Sequence, residues 1–104
     1  MQIYSELEVL QGISNILPEW AYDRENIFRE YKFHSYLQSI EFVSQLAKLA
    51  EEMDHHPLIL ISWGRVLIKI HTHSAKAISS LDFELASQID KLYISFESCQ
   101  KIAC

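Results

Sequence analysis

The chain has 104 residues, of which 49% are hydrophobic and 22% charged, and its formal net charge is −5. That length accommodates one hydrophobic core, expected as a single domain over residues 1–104, and the composition is globular rather than disordered. The acidic balance, without any run of Lys and Arg, excludes a nucleic-acid groove, and the longest apolar stretch, Leu58 to Ile61, is too short to cross a bilayer.

The first residues, Met1 to Glu6, carry neither the basic segment nor the apolar core of a secretory signal, so a cytoplasmic location is expected. Ser5-x-x-Glu8 precedes Val9, Leu10 and Ile13, a capping-box pattern that opens a first helix. Trp20 to Tyr22 and Ile27 to Phe33 flank the polar Asp23-Arg24-Glu25-Asn26 and read as a hairpin.

A second helix is expected over Ser35 to Asp54, again opened by a Ser with Gln38 three residues on. Tyr36, Ile40, Val43, Ala47 and Ala50 form one apolar stripe, and Phe42, Leu46, Leu49 and Met53 form another on an adjacent face. The two together exceed what one sheet contact needs. Packing against a second subunit is expected, the alternative being that the first helix covers the surplus.

Leu58 to Trp63 and Arg65 to His73 flank Gly64 and read as a second hairpin. In its second strand Val66, Ile68 and Ile70 point to one face, while Leu67, Lys69, His71 and His73 point to the other. Ser79-x-x-Asp82 then opens a third helix before Leu85, Ala86 and Ile89. The element order α-β-β-α-β-β-α implies an α+β fold: a four-stranded antiparallel sheet with three helices on one face, and His73 on the other. A disulfide between Cys99 and Cys104 would close a trivial loop, so free thiols are expected.

Candidate chemistry is concentrated between Glu51 and Asp82. Pro57 disfavours helical geometry at His56, so the second helix should stop near there. The negative end of that helix, with Glu51 and Asp54 nearby, favours a protonated imidazole and makes His55 a plausible general acid. Taken singly, each residue has an ordinary structural reading. The His55-His56 pair reads as a solvated cap, His73 as an exposed strand residue, Asp82 as the capping partner of Ser79, and Trp63 as packing.

The spacing alters that balance. Glu51, three intervening residues, His55-His56-Pro57, five residues, Trp63, nine residues, His73, eight residues and Asp82 form an order that resembles the pterin-4a-carbinolamine dehydratases. Trp20, Ile27, Phe33, Tyr36 and Phe42 upstream and Asp82-Phe83-Glu84-Leu85-Ala86 downstream extend the resemblance over about residues 20–90. The resemblance implies dehydration of a 4a-hydroxytetrahydropterin to the quinonoid dihydropterin, a step in tetrahydrobiopterin recycling. His55 and His73 would be the acid and base groups, and His56 would mainly hold the substrate. Asp54, His71, Thr72 and Ser74 would border the pterin ring, supported by Glu51, Trp63 and Asp82. It also implies no metal, no organic cofactor, and a homodimer or homotetramer built on the sheet and the middle helix.

This chain departs from the family pattern in places. Leu58-Ile59 follows Pro57 where the family usually has Glu-Trp, Ala77 stands where Gly is common, and His71 occupies an often small or polar position. His71 and His73, two apart on a strand, also raise a competing three-histidine metal site with His55 or His56. The alternative function is a non-catalytic dimerisation cofactor or interaction protein, with a transcription factor or hydroxylase as partner and the middle helix as the binding surface. Intact His55, His56 and His73 favour catalysis.

Overall fold

A computed structural model describes the chain over residues 1–101, with side chains described through Glu97. In chain order the elements are α1 (Glu6–Ile16), β1 (Ala21–Tyr22), β2 (Ile27–Lys32), α2 (Tyr36–Met53), β3 (Leu58–Ser62), β4 (Arg65–Ile70), a single 3₁₀ turn (His73–Ala75) and α3 (Ser80–Lys101). The four strands make one antiparallel sheet in the order β1-β2-β4-β3. This is the expected α+β fold with the expected order of elements. Cys104 lies outside the described residues, as does the side chain of Cys99, so the expectation of free thiols falls outside them.

All three serine caps form. Ser5 accepts from the Glu8 N–H at 3.2 Å while the Glu8 carboxylate accepts from the Ser5 N–H at 2.9 Å, a complete capping box. Ser35 accepts from the Gln38 N–H at 3.1 Å. Ser79 Oγ accepts from the Leu81 N–H at 3.2 Å, and the Asp82 carboxylate reaches back to the Ser79 N–H at 2.8 Å. α2 stops at Met53, three residues before His56. Asp54, with φ 48°, takes the left-handed cap position, its N–H reaching the Glu51 carbonyl while the His55 N–H reaches Ala50 at 3.0 Å. That bond pair is a Schellman stop with Asp in the place glycine usually fills.

The alternation expected in β4 holds. Val66, Ile68 and Ile70 are fully buried beneath the helices, and Ile27 and Tyr31 of β2 join them in register with Ile70 and Val66. The end of the strand differs from expectation. β4 stops at Ile70, three residues short of His73, because the chain turns: the Thr72 N–H and carbonyl both pair with Ala77, closing a short loop that contains the 3₁₀ turn. His73 therefore occupies a turn and not a strand face. The left-handed residue in that loop is Lys76, φ 51°, so Ala77 replaces a common glycine without strain.

Gly64 closes the β3–β4 hairpin with φ 67°, and a Cβ there would lie 2.9 Å from the Phe33 carbonyl oxygen. Its own carbonyl accepts from the Phe33 N–H at 2.8 Å, which ties the turn to the end of β2. Gly12 serves α1 differently: a side chain at that position would run into the Phe83 ring at 2.5 Å, so the bare backbone lets α1 approach α3. The preceding segment is pinned alongside, with the Tyr4 N–H on the Ile78 carbonyl and the Ser80 N–H on the Gln2 carbonyl.

The interior is aromatic between the sheet and α2/α3. Tyr31, Phe33, Phe42, Tyr93 and Phe96 meet at tilted and edge-on angles, with Tyr31 and Tyr93 4.7 Å apart between centroids. A polar knot borders it. The Asp90 carboxylate of α3 accepts from Trp20 Nε1 at 3.0 Å, from the Arg29 guanidinium at 2.9 Å and from the Tyr31 hydroxyl at 2.5 Å. Burial raises the Tyr31 phenol pKa, and the adjacent carboxylate reinforces the shift, so Tyr31 remains a donor. Asp90→Ala would strand three donors at once. It is expected to lower unfolding stability by about 2–4 kcal/mol, measured by urea denaturation, whereas Tyr31→Phe should cost about 1 kcal/mol.

Candidate active site

Three chain segments converge at one end of the molecule: the close of α2, the loop after β4, and the first turn of α3. The fixed point among them is Asp82, whose side chain is 0% exposed. Its Oδ1 accepts from His55 Nε2 at 2.5 Å, and its Oδ2 accepts from the Thr72 hydroxyl at 2.7 Å and the Ser79 N–H at 2.8 Å. The Ser79 and Thr72 hydroxyls lie 2.6 Å apart. Because Thr72 donates to the carboxylate, Ser79 donates to Thr72, and both carboxylate oxygens and both hydroxyls are satisfied.

A carboxylate only accepts, so its contact with His55 places the proton on Nε2 and leaves Nδ1 as the nitrogen with which this imidazole can act. The partner of His55 is thus Asp82, 27 residues away in sequence, and not Glu51 or Asp54, as its place beside the helix end suggested. His55 is buried and not part of a solvated cap. Glu51 instead accepts from His56 Nε2 at 2.6 Å, and both of those side chains are exposed. His71 Nδ1 donates to the Asn26 side-chain oxygen at 3.0 Å, which ties the β1–β2 turn to the site. The His73 ring lies 5.9 Å from that of His71 and meets no hydrogen-bond partner among the described residues.

These side chains surround one open depression of about 480 Å³, within the range of small-molecule sites. Asp54, His55, His56, His71, Thr72, His73 and Ser74 all line it, together with Met1 and Leu81. Every residue expected to act on or border a ligand is therefore in one place. Of the expected supporting residues, Glu51 and Asp82 hold His56 and His55. Trp63 is elsewhere: it precedes β4 while His71 follows it, so a six-residue strand, roughly 20 Å, separates them, and the indole is 72% exposed.

The metal alternative rested on His71 and His73 sharing a strand face, and the turn after Ile70 removes that arrangement. Among the described residues no three His, Cys, Asp or Glu side chains are grouped to hold a metal ion. Two participants escaped the sequence reading. Asn26 sits in the first hairpin turn, and its only signal was its place in a polar turn. Ser79 was read as a helix cap alone, although its hydroxyl also supports Thr72.

The model of one family, described as pterin 4 alpha carbinolamine dehydratase, matches residues 2–92. The chain belongs to that family. Among relatives that carry the dehydratase family's name, a protein of Picosynechococcus sp. is 40% identical over 83 residues, covering 80% of this chain and 90% of its own. One from Sulfolobus acidocaldarius is 37% identical over 73 residues, 70% of this chain and 80% of its own. A solved structure described as a transcriptional coactivator/pterin dehydratase from Brucella melitensis superposes with a TM-score of 0.79 at 28% identity, covering 86% of this chain and 97% of that one. A pterin dehydratase-like protein identified as a RuBisCO assembly factor in the alpha-carboxysome gives a TM-score of 0.59 at 26% identity, covering 70% and 84%. The pterin dehydratase fold is thus found in proteins described as an assembly factor and a coactivator as well as in dehydratases.

Thr72 offers a test of the Asp82 cluster. Thr72→Val keeps the shape but removes both the donor to Asp82 and the acceptor for Ser79. A loss of about 1–3 kcal/mol in unfolding free energy is expected, measured by urea denaturation, with far-UV dichroism in buffer unchanged.

Proposed function

We propose that this chain dehydrates a 4a-hydroxytetrahydropterin to the quinonoid dihydropterin, acting in tetrahydrobiopterin recycling in the cytoplasm. The observation that carries this reading is the meeting of His55, His56 and His73 around one depression, with His55 held by a buried carboxylate. The reaction needs one proton delivered and one removed. The 4a-hydroxyl leaves as water once protonated, the N5–H bond breaks, and its electron pair forms the N5=C4a double bond.

Histidines can perform both transfers near neutral pH. His55, which its position at the helix end suggested as an acid, here takes the N5 proton on Nδ1, because the Asp82 carboxylate orients the ring and stabilises the imidazolium that forms. His73, whose ring has no other partner among the described residues, delivers the proton to the departing hydroxyl. His56, steadied by Glu51, binds the substrate edge. Both proton transfers belong to the protein, so the chemistry requires no metal and no organic cofactor.

The test follows the loss of freshly generated 4a-hydroxytetrahydropterin optically. The wild type should accelerate it, and His73→Ala, at an exposed position, should lower kcat about 10²- to 10⁴-fold without loss of fold. A well-folded wild type that gives no acceleration would overturn the reading.

A second reading, self-association or partner binding, is favoured by exposed apolar surface. Tyr36, Leu37 and Ile40 of α2 stand outside the core, with Leu37 78% exposed, and α1 packs on β1 without covering them. The free edge strand β3 exposes Leu58, Leu60 and Ile61. An unpaired apolar edge and an apolar helix face fit a homodimer or homotetramer, and the solved relatives described as a coactivator and an assembly factor support a binding role beside catalysis. Sedimentation equilibrium should give a dimer or tetramer, and Leu37→Glu combined with Leu60→Glu should shift it to monomer. A wild-type monomer at high micromolar concentration would remove this reading.

A further inference from the structure

A second depression, of about 340 Å³, adjoins the one described above. His71 and His73 line both, and its remaining walls are Arg24, Glu25, Asn26 and Lys76. We propose that it is a subsite for an anionic group, phosphate or carboxylate, carried on the ring substituent of the substrate. This rests on the dehydratase reading and narrows its substrate to a pterin with an anionic ring substituent in place of the neutral dihydroxypropyl chain of tetrahydrobiopterin.

Three observations support the assignment. Arg24 and Lys76 bring two cations to one hollow on a chain of net charge −5, and among the described residues neither meets a carboxylate within salt-bridge distance. Arg29, Arg65 and Lys69 of the neighbouring sheet are engaged, on Asp90, Glu30 and Asp23 respectively, while Lys32, at the far end of β2, has no carboxylate partner among the described residues. Glu25 is the single acid lining the hollow, so the balance there is cationic.

The backbone is the second observation. Among the described residues the non-glycine positions with positive φ are Arg24 (76°), Asp54 (48°) and Lys76 (51°), and all three line one or other of the joined depressions. Glycine or asparagine would adopt those conformations at lower cost. Long cationic side chains at two such positions are explained by what their charged ends bind.

The third is the way the hollow is held. Asp23 Oδ1 accepts from the Glu25 and Asn26 N–H groups at 2.9 and 2.7 Å, which fixes the turn that carries Arg24. Asn26 then accepts from His71 at 3.0 Å, joining that turn to the wall shared by both depressions. The Lys76 N–H bonds the His73 carbonyl at 3.2 Å, so the second cation is attached to the other residue of the same wall. A ring seated among the histidines would send a substituent past His71 and His73 toward a guanidinium and an ammonium. That pairing suits a phosphate monoester or carboxylate, which the guanidinium can grip through two parallel hydrogen bonds.

Calorimetric titration with oxidised pterins tests this, using 6-hydroxymethylpterin, its phosphate ester and 6-carboxypterin against wild type, Arg24→Asn and Lys76→Asn. Both replacements accept left-handed geometry, and circular dichroism checks their folding. The wild type should bind one or both anionic pterins about tenfold tighter than the neutral alcohol, and whichever gains identifies the anion. Each variant should reduce that ratio severalfold, and raised salt should reduce it in the wild type. If the neutral pterin binds and neither anionic form binds more tightly, or if the ratio survives in both variants, the subsite is wrong and the dehydratase site stands. If no pterin binds and no dehydration occurs, the underlying reading fails and the subsite fails with it.

Discussion

A carboxylate removed from water must be satisfied by the protein around it, and Asp82 meets that demand from three directions. His55 arrives from the end of α2, Thr72 from the loop after β4, and the Ser79 N–H from the start of α3. Leaving any one of these bonds unmade would cost more than the bond contributes, because the charge would remain buried. The cluster therefore fixes three segments relative to one another. The same contacts that stabilise the fold orient the His55 ring and hold the loop that carries His71, His73 and Ser74.

Asp90 applies the same logic eight residues further along α3, roughly two helical turns, where it gathers Trp20, Arg29 and Tyr31. One helix thus uses two acids, about 12 Å apart, to tie in separate segments of the chain. Asp82 binds the α2 terminus and the loop after β4, and Asp90 binds the first hairpin. That hairpin in turn reaches the site through Asn26 and His71. Disturbing Asp90 should be felt at the wall of the depression through β2 and its turn, although no atom of Asp90 lies there.

Much of this architecture was legible because local chemistry and tertiary structure agree. The serine caps, the i, i+3, i+4 stripes of α2 and the alternation of Val66, Ile68 and Ile70 each point to the element that forms. The failures have a common cause, namely contacts between residues distant in sequence. The period-2 pattern runs on through His71 and His73, but pairing of Thr72 with Ala77 ends the strand first. Glu51 and Asp54 are close to His55 along the chain, yet a Schellman stop turns His55 inward to an acid 27 residues away. Nothing local to Asn26 signals that its amide will meet an imidazole 45 positions later. Trp63 was grouped with the histidines by order in the sequence, whereas the antiparallel hairpin carries it to the opposite end of β4.

The four imidazoles at the depression differ in what each is free to do, and that difference constrains the mechanism more than their number does. His55 and His71 each have one nitrogen committed to a fixed acceptor, which sets the tautomer and leaves one nitrogen for chemistry. Only for His55 is that acceptor a buried carboxylate. Asn26 is neutral, so His71 has no charged acceptor, which suits a residue that shapes a wall. Glu51 is charged but solvated, so its contribution to His56 is screened. In the proposed dehydration, a base that holds a proton while a bond rearranges is best placed where a fixed carboxylate orients its ring, and His55 meets that condition. The proposed acid has the opposite requirement, freedom to exchange with water between turnovers, which suits the exposed ring of His73, without a hydrogen-bond partner among the described residues.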